Sequence, residues 1–341
     1  MKERRKWGLF PRLIAFLLAL TLFVGLTWYA AWALMPRRTN YGSLWEQYLQ
    51  EPEDSMDVLF LGSSIVYCDI APAWVWEASG LRSWVLAGPE QTIPLTYYYL
   101  RQAVKTQSPR LVALELNGLL FREYQDFSKA NVSTMPFSLN RFLAALNAVE
   151  PEERKGLLFP LYNYHYRWTE LKEGELEKRL QPVTDPLAGY TLLDRTTPMK
   201  NYWVNPERVL DPKAYEKNLR YLGKIGSFCR KWNIRLLLYI APSAAQIDPE
   251  LRERLMGDVR AMGLEAVDMT GRMAEMEIDD GQDWYDGLHF NLYGAEKFSK
   301  WLGEYLAEQV TPDPGADREA WQTRLDYLQE QAAKRTEGEK G

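Results

Sequence analysis

The chain is 341 residues long, 46% hydrophobic and 26% charged, with a formal net charge of −5; that is material for one large domain or two small ones, and not for a low-complexity segment. The charge is unevenly divided: residues 1–38 hold Lys2, Arg4, Arg5, Lys6, Arg12, Arg37 and Arg38 against Glu3 alone, a net of +6, which leaves −11 for the remainder. An acidic body of this kind excludes wrapping of nucleic acid, where Lys and Arg neutralising phosphates supply most of the affinity.

The first element in chain order is the uncharged run from Leu13 to Met35, 23 residues long. As a helix rising about 1.5 Å per residue it crosses the roughly 30 Å hydrocarbon core of a bilayer. Positive charge is heavier before the run than after it, which leaves the N-terminus in the cytoplasm and exports everything beyond Pro36. Trp28, Tyr29 and Trp32 then fall near the outer interface. Residues 1–38 are therefore expected to be a cytoplasmic basic tip and a single-pass anchor in the cell membrane, with the rest on the extracytoplasmic side. The competing reading is a cleaved signal peptide, because Ala31-Trp-Ala33 fits the small-x-small cleavage pattern, although the apolar run is longer than an ordinary signal core.

Beyond the anchor, short apolar runs alternate with longer helical patterns, the signature of an α/β fold with a parallel sheet covered by helices. The pattern predicts five strands, at 57–61, 83–87, 111–116, 234–240 and 264–269, and helices at 95–105, 212–232, 249–262 and 292–309. Residues 39–310 are thus expected to be one α/β domain. The interval 119–212, rich in Tyr, Trp, Asn and Pro, breaks the rhythm and is expected to be a mostly helical cap insertion emerging from the third strand, at the sheet edge where α/β folds build their sites. The prolines and glycine after Thr311 end the last domain helix, and 318–334 then places Trp321, Leu325 and Leu328 on one helical face. The segment 311–341 reads as a helical tail whose last residues, Thr336 to Gly341, are expected to be disordered.

Two segments carry chemistry. The first strand runs into Gly62-Ser63-Ser64-Ile65, which sets a serine hydroxyl at the start of a helix on the carboxyl edge of the sheet, where free N–H groups and the positive dipole end stabilise an oxyanion. Serine at a helix start is equally a common structural cap. Far downstream, Trp284-Tyr-Asp286-Gly-Leu-His289-Phe-Asn291 puts a carboxylate three residues before an imidazole, with Asn291 able to start the next helix. Asp286 at that spacing can accept from Nδ1–H and fix the tautomer whose Nε2 deprotonates a serine. Asp283 is a second acid near His289. The other histidine, His165, lies in an aromatic stretch without a neighbouring acid and reads as a packed or hydrogen-bonded residue.

Together these segments resemble the SGNH, or GDSL-type, hydrolase superfamily, whose first block joins a strand to Gly-Asp-Ser and whose last block is Asp-x-x-His; the resemblance spans about Asp57 to Gln309. It implies a flavodoxin-like three-layer fold, with Ser64 as nucleophile, Asp286 as orienting acid and His289 as base. By the same analogy the second and third blocks, here Val85-Leu-Ala-Gly88 and Leu114-Glu-Leu-Asn117, contribute Gly88 and Asn117 to an oxyanion hole that Ser64 completes. Ser63 stands where the family has Asp, which keeps Ser63 open as an alternative nucleophile. The Gly-Ser-Ser form is similar to that of bacterial membrane-anchored DltD-like proteins and of SGNH partners of membrane-bound O-acyltransferases. That similarity implies O-acyl, in particular O-acetyl, transfer or ester hydrolysis on cell-surface polysaccharide, with such an acyltransferase as partner; a surface carbohydrate or lipid esterase and a noncatalytic scaffold that binds polysaccharide or a partner protein are the alternatives.

Among the remaining residues, Gly88 and Asn117 also fit plain turns. Tyr162, Tyr164, Tyr166 and Trp168 suit either sugar stacking or a small core within the insertion. Cys68 and Cys229 read as buried small side chains that need no bridge. Asn131-Val-Ser133 matters only where exported chains are glycosylated. The sequence holds no metal-ligand cluster of Cys and His, and no cofactor is expected.

Overall fold

The strand pattern was read from apolar runs buried on both faces, and those runs pair into a sheet. The computed structural model describes residues 9–35, 45–313 and 317–338; the basic tip Lys2 to Lys6, Arg37, Arg38 and the last three residues lie outside them. Strands β1 (Val58–Gly62), β2 (Ser83–Ala87), β3 (Leu111–Glu115), β5 (Arg235–Ile240) and β7 (Ala266–Asp268) form one parallel sheet in the order β2-β1-β3-β5-β7. All five sit where the sequence places them. A small parallel pair, β4 (Trp203–Val204) with β6 (Ala245–Gln246), was not foreseen, because two residues carry no readable alternation.

Side-chain alternation divides the core into two layers. Val58, Phe60, Val85, Ala87, Leu111, Ala113, Leu237 and Tyr239 face a cluster that includes Trp74 of helix Pro72–Ser79, Phe298 and Leu302 of helix Leu292–Ala307, and Leu325 and Leu328 of helix Arg318–Gly338. On the opposite face, Trp84 stacks edge-on against Tyr48, which meets Trp45, which in turn meets Tyr99 of helix Ile93–Ala103. Helix Pro212–Lys231 starts with Pro212 behind the Asp211 side chain, which accepts from the N–H groups of Lys213 and Ala214. That is an N-cap with proline at the first helical position.

The amino-terminal ends of three strands are tied by one buried carboxylate. Asp57, just before β1, accepts from the N–H of Arg82 at 2.9 Å and from its guanidinium at 3.1 Å, and pairs with Arg110. Arg82 and Arg110 immediately precede β2 and β3, so a single acid sets the register of all three. The sequence reading had taken Asp57 as the first strand residue.

The tail helix Arg318–Gly338 buries the residues expected of it, with Trp321 beside Trp76. Its backbone runs as helix to Gly338, and 339–341 lie outside the described residues.

The interval 119–212 is not one piece. The chain separates into two compact units, one made of residues 1–37 with Glu152–Pro182, the other of everything else. Within the second unit, 183–204 is mostly irregular and threads along the α/β body instead of forming a helical cap. Ala188 O accepts from Val85 N of β2, Leu193 O accepts from Leu292 N, and Thr197 N and Met199 N donate to Trp284 O and Asp280 O. Backbone groups at intervals along this strap thus find partners on the body, which is why so little periodicity is needed to hold it. In the first unit, helix Leu9–Leu34 is long and apolar enough to cross a membrane, with mean hydropathy 2.1 over its most apolar stretch of 18 residues.

Candidate active site

In consecutive numbering the five paired strands run 2-1-3-4-5. The order reverses after the second strand, so the chain leaves β1 and β3 toward opposite faces and opens a crevice at their carboxyl ends. Register places the candidate residues along this edge. Gly62 pairs with Ala87, and Leu61 with Leu114, so Ser63 and Ser64 emerge between Gly88 on one side and Leu116–Asn117 on the other.

Gly62 makes the turn possible. Its φ of +153° is open to glycine, and a Cβ there would fall 2.5 Å from Val66 Cγ2 and 3.1 Å from Glu115 Cβ. The chain can therefore turn sharply from strand into helix Ser64–Asp69. Ser63 precedes that helix, buried, and its carbonyl accepts from Val66 N at 3.0 Å. Ser64 is the first helical residue and only partly covered.

His289 arrives on the opposite side of the crevice. Its Nε2 lies 2.9 Å from Ser64 Oγ, and its Nδ1 lies 3.0 Å from both carboxylate oxygens of Asp286. Asp286 Oδ1 also accepts from Leu288 N at 2.8 Å and His289 N at 2.9 Å. Burial works to raise this carboxyl, but the His289 ring and the two N–H groups outweigh it and hold it below its ordinary range. The hydrogen bond reaches Ser64 and not Ser63. Asp283 is spoken for: fully buried, it takes Lys297 Nζ at 2.7 Å and Asp279 N at 2.6 Å. His165 Nδ1 is turned to the carbonyls of Leu161 and Tyr162, 3.1 and 3.2 Å away, in the short helix just before it.

The histidine turn is braced from several directions. Trp284 and Phe290 bridge antiparallel at its base. Asn291 caps helix Leu292–Ala307 by accepting from Tyr293 N and Gly294 N, while its amide donates to Gln282 O at 2.6 Å and Thr196 Oγ1 at 3.1 Å. Phe290 N donates to Asp69 Oδ1 at 2.9 Å, which joins the residue after the histidine to the last residue of the serine helix. Burial drives the Asp69 carboxyl well above its usual range, against the Phe290 N–H, and Asp286 and Glu115 add to the rise. Sequence reasoning missed Asp69, since nothing local in Tyr67-Cys68-Asp69 signals a partner more than two hundred residues away.

Asn117 opens a 3₁₀ turn directly after β3. Its backbone N–H and its side-chain amide both donate to the Glu115 carboxylate, which orients the amide. Glu115 is fully buried, and desolvation raises it to about 7 despite the Asn117 donors, the Arg208 charge and the Ala241 N–H. Gly88 follows β2 directly, buried, with its carbonyl accepting from Gln91 N at 3.1 Å. Cys68 and Cys229 are free and buried, with burial raising both thiols.

One aromatic residue flanks the site that the sequence had not singled out. Trp203 of β4 packs on Gly287, whose Cβ would stand 2.4 Å from the indole, and Trp203 remains 45% exposed. Ala245 of β6 donates to Gly287 O at 2.7 Å. The small β4–β6 pair thereby clasps the Asp286–His289 turn. The serine, imidazole and carboxylate form a continuous hydrogen-bonded line, an arrangement able to activate a hydroxyl and carry its proton to a leaving group.

No family model matches the chain, and no curated protein matches it. Among solved structures, a presumed acylhydrolase from Bacteroides fragilis is similar at a TM-score of 0.37 and 11% identity, covering 78% of this chain and 94% of that one. An acetyl xylan esterase, Est2A, from the rumen bacterium Butyrivibrio proteoclasticus gives 0.34 and 9%, covering 76% of this chain and 65% of its own length. At these values neither likeness bears on the chemistry, which is read from the site alone.

Proposed function

We propose that the chain is an SGNH-type serine acyl-transfer enzyme, anchored in the cell membrane with its α/β domain on the extracytoplasmic side. The reading is carried by the 2.9 Å contact between His289 Nε2 and Ser64 Oγ, with Asp286 aligned behind the imidazole. In this reading His289 takes the Ser64 proton as Oγ attacks the carbonyl carbon of an O-acyl ester. The tetrahedral oxyanion is held by the N–H of Ser64 at the helix start, by Gly88 N–H and by the Asn117 amide that Glu115 orients. Collapse breaks the ester C–O bond, His289 returns its proton to the departing alcohol, and an acyl-serine remains. A second hydroxyl, deprotonated by the same imidazole, then attacks the acyl carbon; the bond to Ser64 Oγ breaks and the imidazolium returns its proton to that oxygen. Water completes an esterase cycle; a sugar hydroxyl completes an O-acyl transfer.

The exposed Trp203 beside the turn suits stacking on a sugar ring, which favours carbohydrate, as in cell-surface polysaccharide, as the hydroxyl-bearing substrate. The apolar helix Leu9–Leu34 keeps such a domain near a membrane partner that delivers acyl groups, of which a membrane-bound O-acyltransferase is the kind in view.

A fluorophosphonate probe should label the purified full chain, and p-nitrophenyl acetate should be hydrolysed. Ser64→Ala should abolish labelling, and Asp286→Asn should lower turnover by about 10³–10⁴-fold through the wrong imidazole tautomer. Labelling that survives Ser64→Ala but is lost in Ser63→Ala overturns the assignment, and a folded chain that never labels removes the enzyme reading altogether.

A further inference from the structure

The unit formed by residues 1–37 and Glu152–Pro182 exposes aromatic and aliphatic side chains beside an apolar helix. Phe159, Tyr162, Tyr166, Trp168 and Leu180 are 52–77% exposed. Tyr162 and Tyr166 lie four residues apart on the helical run through Pro160–Tyr164 and His165–Thr169, and Phe159 stands at the break just before it. The opposite face, at 161, 164 and 167, is partly covered. This run packs on helix Leu9–Leu34, and Arg167 donates to Leu34 O at 2.6 Å, while Arg179 lies over the Trp32 ring at 5.4 Å. Large apolar side chains exposed in such a cluster call for a covering surface.

The attachment to Leu34 says which surface. From Leu13 to Leu34 the helix rises about 32 Å at about 1.5 Å per residue, against a hydrocarbon core of roughly 30 Å. Leu34 therefore stands at the boundary between acyl chains and headgroups, and whatever is bonded to its carbonyl stands at that depth. Aromatic side chains are favoured there because their rings are amphipathic.

We propose that residues 154–169, three short helical pieces in succession, are an interfacial segment seated in the outer leaflet beside the anchor, with Phe159, Tyr162, Tyr166 and Trp168 in the headgroup–acyl boundary. The inference rests on the membrane-anchor reading and goes beyond it: the protein holds the bilayer by a span and by a second, surface-lying element. That element fixes the height and tilt of the span, which a lone helix leaves free.

The test uses the full chain in nanodiscs of mixed zwitterionic and anionic phospholipid, with an environment-sensitive fluorophore on a single introduced cysteine; native Cys68 and Cys229 are buried. Tyr162→Cys and Trp168→Cys report on the proposed element, and Leu18→Cys on the span. Lipids brominated near the headgroup should quench the labels at 162 and 168 by at least about half relative to unbrominated lipid, and deeply brominated lipids should quench Leu18→Cys by as much. Quenching at 18 without quenching at 162 and 168 overturns the interfacial segment and leaves the anchor standing. Absence of quenching at 18 removes the anchor and the proposal with it. Labels at 162 and 168 that ignore brominated lipid but shift on adding soluble oligosaccharide make the face a sugar platform instead, and the proposal fails.

Discussion

Glu115 links the chemistry of the site to its stability. The acid sits two residues before Asn117, buried at the end of β3, and accepts from both Asn117 donors. In the folded chain its pKa is raised from 4.5 to about 7, chiefly by desolvation. Folding therefore favours the protonated acid: the stability this represents is complete below about pH 4.5 and is lost as pH rises through about 7. The difference corresponds to about 3 kcal/mol. Glu115→Gln removes the titration, so its stability relative to the native chain should rise by about that much between pH 4 and pH 8 in urea melts. A gap that stays flat with pH means that Glu115 does not titrate as described. Asn117 was legible in the sequence as a polar residue after a strand, but Glu115 was not: an acid inside an apolar run looks like an ordinary strand residue until its burial is seen.

At the scale of elements, the same contrast separates strands from what ties them. The five sheet strands were legible because a parallel sheet buried on both faces must be written as uninterrupted apolar runs. The clamp of Asp57 on Arg82 and Arg110 was not, because its three members lie 25 and 53 positions apart. Asp57→Ala leaves Arg82 buried beside only the half-exposed Asp313, at 3.1 Å. Removing one member of a buried ion pair costs about 3–5 kcal/mol; because Arg110 is partly solvated, the lower end applies here, and a urea melt should show a loss of about 3 kcal/mol. A loss below about 1 kcal/mol would mean that the strand ends hold their register without the clamp. The strap 183–204 escaped prediction for a different reason. Several of its backbone groups pair with the body it lies on instead of with one another, so its own sequence carries no period, and the single insertion expected over 119–212 divides between two units.

For the whole molecule, the orientation argument rests on charge flanking an apolar helix whose spanning window has no part buried in the protein. The full chain should stay in the membrane fraction after alkaline carbonate washing, and protease added to intact cells should cleave the α/β domain while a tag placed before Met1 survives. Release by carbonate sinks the span; survival of the domain with loss of the tag inverts the topology.

By itself the sequence determined what short-range rules govern: an apolar helix of bilayer length, five buried strands with helices between them, a glycine-serine turn at one strand end and an aspartate three residues before a histidine. Each is a local pattern whose energy is settled by burial, periodicity or backbone freedom within a few residues. Only the tertiary structure decided which serine meets the imidazole, that Asp283 belongs to Lys297 instead, that Asp69 ties the serine helix to the histidine turn, and that Trp203 lies against Gly287. Two of those pairings, Ser64 with His289 and Asp69 with Phe290, join residues more than two hundred positions apart that the sheet order brings to one edge, and no local preference encodes such a distance.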